Sequence, residues 1–260
     1  MVEYSAMGYG LALAAGMLFG LSDVMVRAAA ARLTPLQNLA VSLVIGTPIL
    51  WVAALASGSR IPAGKALLFY AAAGLLNFVV GRLLFYMAVT YAGASTAAVT
   101  TSPTAAIASL MAWALLGEAL GVRQLLGLAL FVLAVYLAST RPSGEAFHGG
   151  RALLGVVAGV SAAFTFAAAT ILVRGASAYQ GGEPISGAAI SYSVALPIAL
   201  VSALARDGAP RRGRHLGYMA AGAVAVACAQ LSRYMALSLI PVAHATVLMG
   251  LFPFHTFIFA

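Results

Sequence analysis

Pro35-Leu-Gln-Asn-Leu-Ala-Val-Ser-Leu-Val-Ile-Gly-Thr-Pro-Ile-Leu-Trp-Val-Ala-Ala-Leu-Ala56 is an apolar run of 22 residues, and a similar run recurs later in the chain. At 1.5 Å per residue such a run crosses the ~30 Å hydrocarbon layer of a bilayer as one helix. Shifted by 149 positions it lies on Pro184 to Ala205, with Pro35/Pro184, Ser42/Ser191, Pro48/Pro197, Ile49/Ile198, Val52/Val201 and Leu55/Leu204 coinciding. Shifted by 148, Tyr70-Ala-Ala-Ala-Gly74 lies on Tyr218-Met-Ala-Ala-Gly222, and Tyr86-Met-Ala88 lies on Tyr234-Met-Ala236. Alanines coincide by chance in such sequences, whereas prolines, glycines and tyrosines in one register do not. A duplicated multi-helix unit in a membrane points to a transporter with its site between the halves.

Composition agrees with a lipid solvent. Of 260 residues, 63% are hydrophobic and 8% charged, and the mean hydropathy is +1.01. A water-facing surface needs roughly 25% charged residues. The net charge of +8 does not indicate a nucleic-acid partner, because the basic residues are scattered over short loops. Loop arginines on a membrane protein set orientation and meet lipid head groups. The single cysteine, Cys228, excludes a disulfide within the chain. No basic region precedes the first apolar stretch, which therefore reads as a retained helix.

Nine segments are apolar and long enough to span: Met7–Ala29, Pro35–Ala56, Ala66–Val89, Ala94–Leu116, Val122–Ser139, Ala152–Val173, Pro184–Ala205, Leu216–Leu239 and Val242–Ala260. The expected fold is all-α transmembrane. Residues 1–140 form a first five-helix repeat, 141–150 a linker, and 151–260 a second repeat without its last helix. Repeats with an odd number of helices alternate in orientation, so the two units are inverted relative to one another. The repeat spacing puts the copy of the fifth helix beyond Ala260, so the chain reads as nine helices of a ten-helix architecture. Arg32, Arg141, Arg151, Arg206, Arg211, Arg212 and Arg214 fall on one side of the membrane and outnumber Arg60, Lys65, Arg123 and Arg174 on the other. The positive-inside rule then places the N-terminus outside.

A mid-helix charge costs about 2.5–3.5 kcal/mol on insertion scales, so each intramembrane polar residue needs a reason. Gly74, Phe78, Arg82 and Tyr86 fall at i+4 spacing on one stripe of the third segment. The matching stripe of the eighth segment carries Gly222, Val226, Gln230 and Tyr234. Arg82, Tyr86, Gln230 and Tyr234 are therefore candidates to line a substrate cavity; the plain alternative for Arg82 is to snorkel to a head group. Asn77 is a further candidate, able equally to bond across a helix interface. Arg233 points about 100° off the stripe and reads as a residue that snorkels or makes a helix contact. Asp23, with Arg27 one turn later, has two readings: a structural ion pair, or a carboxylate carrying a coupling proton. Thr96, Thr100, Thr101, Ser102 and Pro103 soften the fourth segment, as Pro253 does the ninth. His244 and His255 read as helix-contact residues, and Gly16 and Gly20 as a close-packing stripe.

Enzyme readings fail on chemistry. Gly93-Ala-Ser-Thr96 offers a hydroxyl without a base, and an aspartyl protease needs a second intramembrane aspartate. No phosphate-binding loop provides for ATP, and neither a metal cluster nor a cofactor is expected.

Phe19-Gly-Leu-Ser-Asp-Val-Met-Val-Arg27 resembles the first-helix pattern of EamA-type members of the drug/metabolite transporter superfamily, and Phe166 with Arg174 repeats its frame. Leu116-Gly-Glu-Ala-Leu-Gly-Val-Arg-Gln-Leu-Leu-Gly127 is similar to the family's turn into the fifth helix. Tyr86-Met-Ala-Val-Thr-Tyr-Ala-Gly-Ala-Ser95 looks like the end of its third. Two departures stand out: Ser42 and Ser191 sit where the family often has arginine, and Asp23 where it usually has an apolar residue. The resemblance implies a ten-helix secondary transporter in the inner membrane that exports amino acids or similar small polar metabolites by alternating access. Its partners would be a small-molecule substrate and membrane lipid, without nucleic acid, and the second reading of Asp23 adds proton coupling. A lipid-linked sugar flippase of the same superfamily and a non-transporting membrane scaffold are the rival readings.

Overall fold

In the computed structural model the described residues are 5–30, 33–139, 150–179, 181–210, 213, 215–251, 255 and 258. They are helical throughout, with short connections. The elements are α1 (Ala6–Ala30), α2 (Pro35–Ala56), α3 (Gly64–Gly74), a π-helical stretch (Leu75–Val80), α4 (Gly81–Thr101), α5 (Thr104–Leu116), α6 (Val122–Ser139), α7 (Gly150–Ala178), α8 (Pro184–Arg206), α9 (His215–Leu239) and α10 (Val242–Met249). Among the described residues seven helical runs are long and apolar enough to cross a membrane. These are Ala6–Met25, Pro35–Ala56, Gly64–Gly93, Thr96–Leu116, Ala152–Ala178, Pro184–Arg206 and His215–Leu239. The linker residues 141–149, the Arg27 side chain and Pro253 lie outside the described residues.

Local sequence explains the boundaries. Thr34 caps α2: its hydroxyl accepts from the Gln37 amide N–H, the Gln37 side chain accepts from the Thr34 N–H, and Pro35 occupies the first turn. The cap is also a tertiary tie, since Gln37 Nε2 donates to the carbonyls of Asp207 and Gly208 and the Thr34 hydroxyl donates to the Asp207 carboxylate. α2 and α8 continue through Pro48 and Pro197 as single helices. The third and fourth spans part at Gly93, whose φ of 81° is a backbone state that only glycine takes without strain. Hydroxyls of Thr100, Thr101, Ser102 and Thr104 bond back to carbonyls one turn earlier, around the break between α4 and α5 at Ser102 and Pro103. Gly117, at φ 68°, closes α5 in the left-handed conformation usual for a helix end.

The helices pack with α1 along α9, α4 along α7, and α2 between α8 and α9. Alanine fills most of the interface, which lets backbones approach. At Gly74 the approach is closest: an added Cβ would collide with the backbone of Ser191. The largest fully buried side chains are Tyr70, Tyr192 and Tyr234. Tyr70 and Tyr234 stack at 5.9 Å, and Phe78 meets Tyr192 edge-on at 4.7 Å. Leu55, Leu68, Leu115, Val122, Leu130 and Val201 point outward, giving an apolar girdle that only lipid can cover.

Candidate functional site

A small cavity of about 100 Å³ lies in the half of the bundle where α1 ends and α2 begins. Its polar wall is made by Ser22 and Asp23 of α1, Asn38 and Ser42 of α2, and Arg82 and Tyr86 of α4. Phe19, Phe78, Tyr192 and Val226 supply the apolar wall. Three of the four stripe residues of the third span therefore reach it together. Residues four apart lie close to one face of a helix, and the π-helical stretch ends at Val80, just before Arg82. Phe78, Arg82 and Tyr86 stay on one face, and Gly74 faces α8.

Each wall has a support. The Ser22 hydroxyl donates to the Gly222 carbonyl at 3.1 Å, fixing α1 on α9. The Tyr86 hydroxyl donates to the Pro35 carbonyl at 3.0 Å, at the first turn of α2. The guanidinium of Arg82 makes neither a hydrogen bond nor a salt bridge with another described residue. Asp23 is half-buried in the same wall. Its expected pairing with Arg27 falls outside the described residues, which do not include the Arg27 side chain.

The other candidates sit elsewhere. Gln230 and Tyr234, the repeat mates of Arg82 and Tyr86, do not line the cavity. Gln230 is buried and accepts from Arg233 Nη1 at 3.1 Å, while Arg233 Nη2 donates to Thr170 on α7 at 2.7 Å. A buried guanidinium needs acceptors, and Gln230, one turn earlier on the same helix, supplies one. Arg233, expected from its angle to snorkel or to make a helix contact, is 9% exposed at the α7–α9 contact. Tyr234 donates to Ser191 Oγ at 2.8 Å, and Ser191 donates to the Tyr70 carbonyl at 2.6 Å, a chain joining α9, α8 and α3. Asn77 is buried within the π-helical stretch and is not part of the cavity wall. His244 of α10 bonds Tyr9 at 2.9 Å through Nδ1, and its Nε2 lies 3.4 Å from Gln124 Nε2. Sequence reasoning passed over Ser22 and Asn38 as wall residues. The signal available for them was position, Ser22 adjoining Asp23 and Asn38 standing one turn before Ser42.

Among the described residues no three His, Cys, Asp or Glu side chains come together as metal ligands. What the cavity offers is a cation and a carboxylate in one wall, hydroxyl and amide groups beside them, and aromatic faces opposite.

No curated protein matches the sequence. A solved crystal structure, described only as that of a protein, superimposes with a TM-score of 0.81 at 16% identity, covering 97% of this chain and 88% of that one. That likeness concerns the fold. The model of the EamA-like transporter family matches residues 6–140, from the start of α1 to just past α6. The match takes in the Asp23, Asn38, Ser42, Arg82 and Tyr86 wall and more than half of the 260 residues, and on it the chain belongs to the EamA-like transporter family of membrane proteins.

Proposed function

We propose that this transporter is a secondary carrier that exports amino acids or similar small polar metabolites by alternating access, with the Arg82 cavity as its substrate site. The observation that carries the reading is Arg82 itself. It lines a cavity inside an apolar bundle, with neither a hydrogen bond nor a salt bridge to another described residue. A cation held at that cost is matched by a ligand's carboxylate, which a guanidinium grips through two parallel N–H donors.

Alternating access is supported by how the helices pair. In the repeat register α1 corresponds to α7 and the third span to α9, and the packing sets α1 against α9 and α4 against α7. α2 and α8, also mates, pack on one another, with Trp51 Nε1 donating to Ser193 Oγ at 2.9 Å. Reciprocal pairing of this kind is what two inverted five-helix units would give, and such units rock about a site between them.

The test is uptake and counterflow of labelled amino acids in proteoliposomes. Arg82→Ala is expected to abolish flux while membrane insertion and the detergent melting temperature stay near wild type. Wild-type flux in Arg82→Ala would place the substrate elsewhere, and a protein that moves only lipid-linked cargo, or nothing, would rule out the metabolite carrier.

A further inference from the structure

A second polar cluster lies at the other end of the bundle from the cavity. The left-handed Gly117 turn after α5 delivers Glu118 to Arg174 of α7, whose Nε donates to Glu118 Oε1 at 2.7 Å. Arg174 Nη1 donates to the carbonyls of Leu237 and Ser238 at 2.8 and 3.2 Å. The Val242 amide donates to Glu118 Oε2 at 2.8 Å. Pro241 separates α9 from α10, leaving terminal carbonyls on one side and free N–H groups on the other. The cation takes the carbonyls and the carboxylate takes the N–H, each at the helix end whose dipole favours its charge. One ion pair thus ties the α5–α6 turn to α7 and to the α9–α10 corner.

We propose that Glu118 and Arg174 form the latch that closes this end of the transporter, and that the latch opens once in each transport cycle. The inference rests on the alternating-access reading above. In that reading Glu118 belongs to the first unit, and Arg174, Leu237, Ser238 and Val242 to the second. A contact between two rocking bodies at one end of the membrane exists in only one of their two states. The solute cavity lies in the opposite half, so the end that must be shut while the cavity is loaded is the end that carries the ion pair.

The chemistry of the contact suits a device that opens. Most of the buried interface elsewhere is alanine. Here two charges are used instead, with side-chain exposures of 26% for Arg174 and 13% for Glu118. A pair with some access to solvent can exchange its partners for water when the end opens, unlike one sealed in the core. Tyr70 and Ser177, bonded at 3.0 Å one turn further along α7, extend the closure toward the same end.

Two measurements test this, both in a C228A background. In E118C/R174C, joining the thiols with a short reducible bifunctional thiosulfonate is expected to stop solute flux, and reduction to restore it. Undiminished flux through fully cross-linked protein overturns the latch. The second measurement needs no substrate: S177C is labelled with a membrane-impermeant maleimide, with and without E118Q. Losing a charge-assisted bond at a latch is expected to speed labelling about tenfold. An unchanged rate shows a fixed staple and overturns the proposal. Faster labelling in a protein that carries no amino acid supports the latch and counts against the substrate reading alone.

Discussion

Arg82 and Asp23 share one wall of a cavity of about 100 Å³, and they are separable by experiment. Arg82→Lys keeps the charge and loses the planar fork. We expect KM for a carboxylate-bearing substrate to rise roughly tenfold with membrane insertion unchanged, because two-point geometry is lost before electrostatic attraction is. Asp23→Asn is expected to retain substrate exchange and lose the response of flux to a pH gradient, if the carboxylate carries the coupling proton. A pH response equal to wild type would return Asp23 to a structural part. The sequence makes Arg82 and Tyr86 visible because both lie on one stripe of one helix, which spacing alone defines. Gln230 and Tyr234 lie outside the wall of this cavity, because repeat symmetry fixes which residues correspond and not where each helix turns its face. Arg233 takes Gln230, and Ser191 takes Tyr234. Those partners are set by packing between residues far apart in the chain.

At the scale of elements, hydropathy marks spans well: α2 runs Pro35–Ala56 and α8 runs Pro184–Arg206, as apolar length and the flanking breakers indicate. The π-helical stretch at Leu75–Val80 leaves no such mark, since a widened turn depends on what the helix packs against. The contact of Gly74 with Ser191 belongs to the same region. Gly74→Ala puts a methyl group into a backbone that cannot yield, so it is expected to lower the detergent melting temperature by several degrees. Gly127→Ala in α6, where an added Cβ meets nothing within 4 Å, is the control. It should leave the melting temperature unchanged or raise it, alanine being favoured over glycine in a helix by about 1 kcal/mol. Equal effects at the two positions would show that α3 and α8 are less closely packed than the structure has them.

For the whole molecule, the arginine count predicts an N-terminus on the outer side of the membrane, which two exposed loop residues can test. S57C, between α2 and α3, is expected to react with an impermeant maleimide on intact cells. A209C, between α8 and α9, should react only after permeabilisation. The reverse pattern would put the N-terminus inside and turn the Glu118–Arg174 end toward the cytoplasm.

The run from Gly64 to Gly93 has 30 residues and α7 has 29, and the two pack along one another. At 1.5 Å per residue each is about 45 Å long, against ~30 Å of hydrocarbon. The surplus goes into tilt and into the head-group layer, and because the helices are packed they tilt as a pair. Membrane thickness therefore acts on the shared tilt of the helices that present Arg82 and Arg174. Short acyl chains would press this pair over and long ones let it stand, so the lipid chosen for reconstitution sets part of the transporter's working geometry.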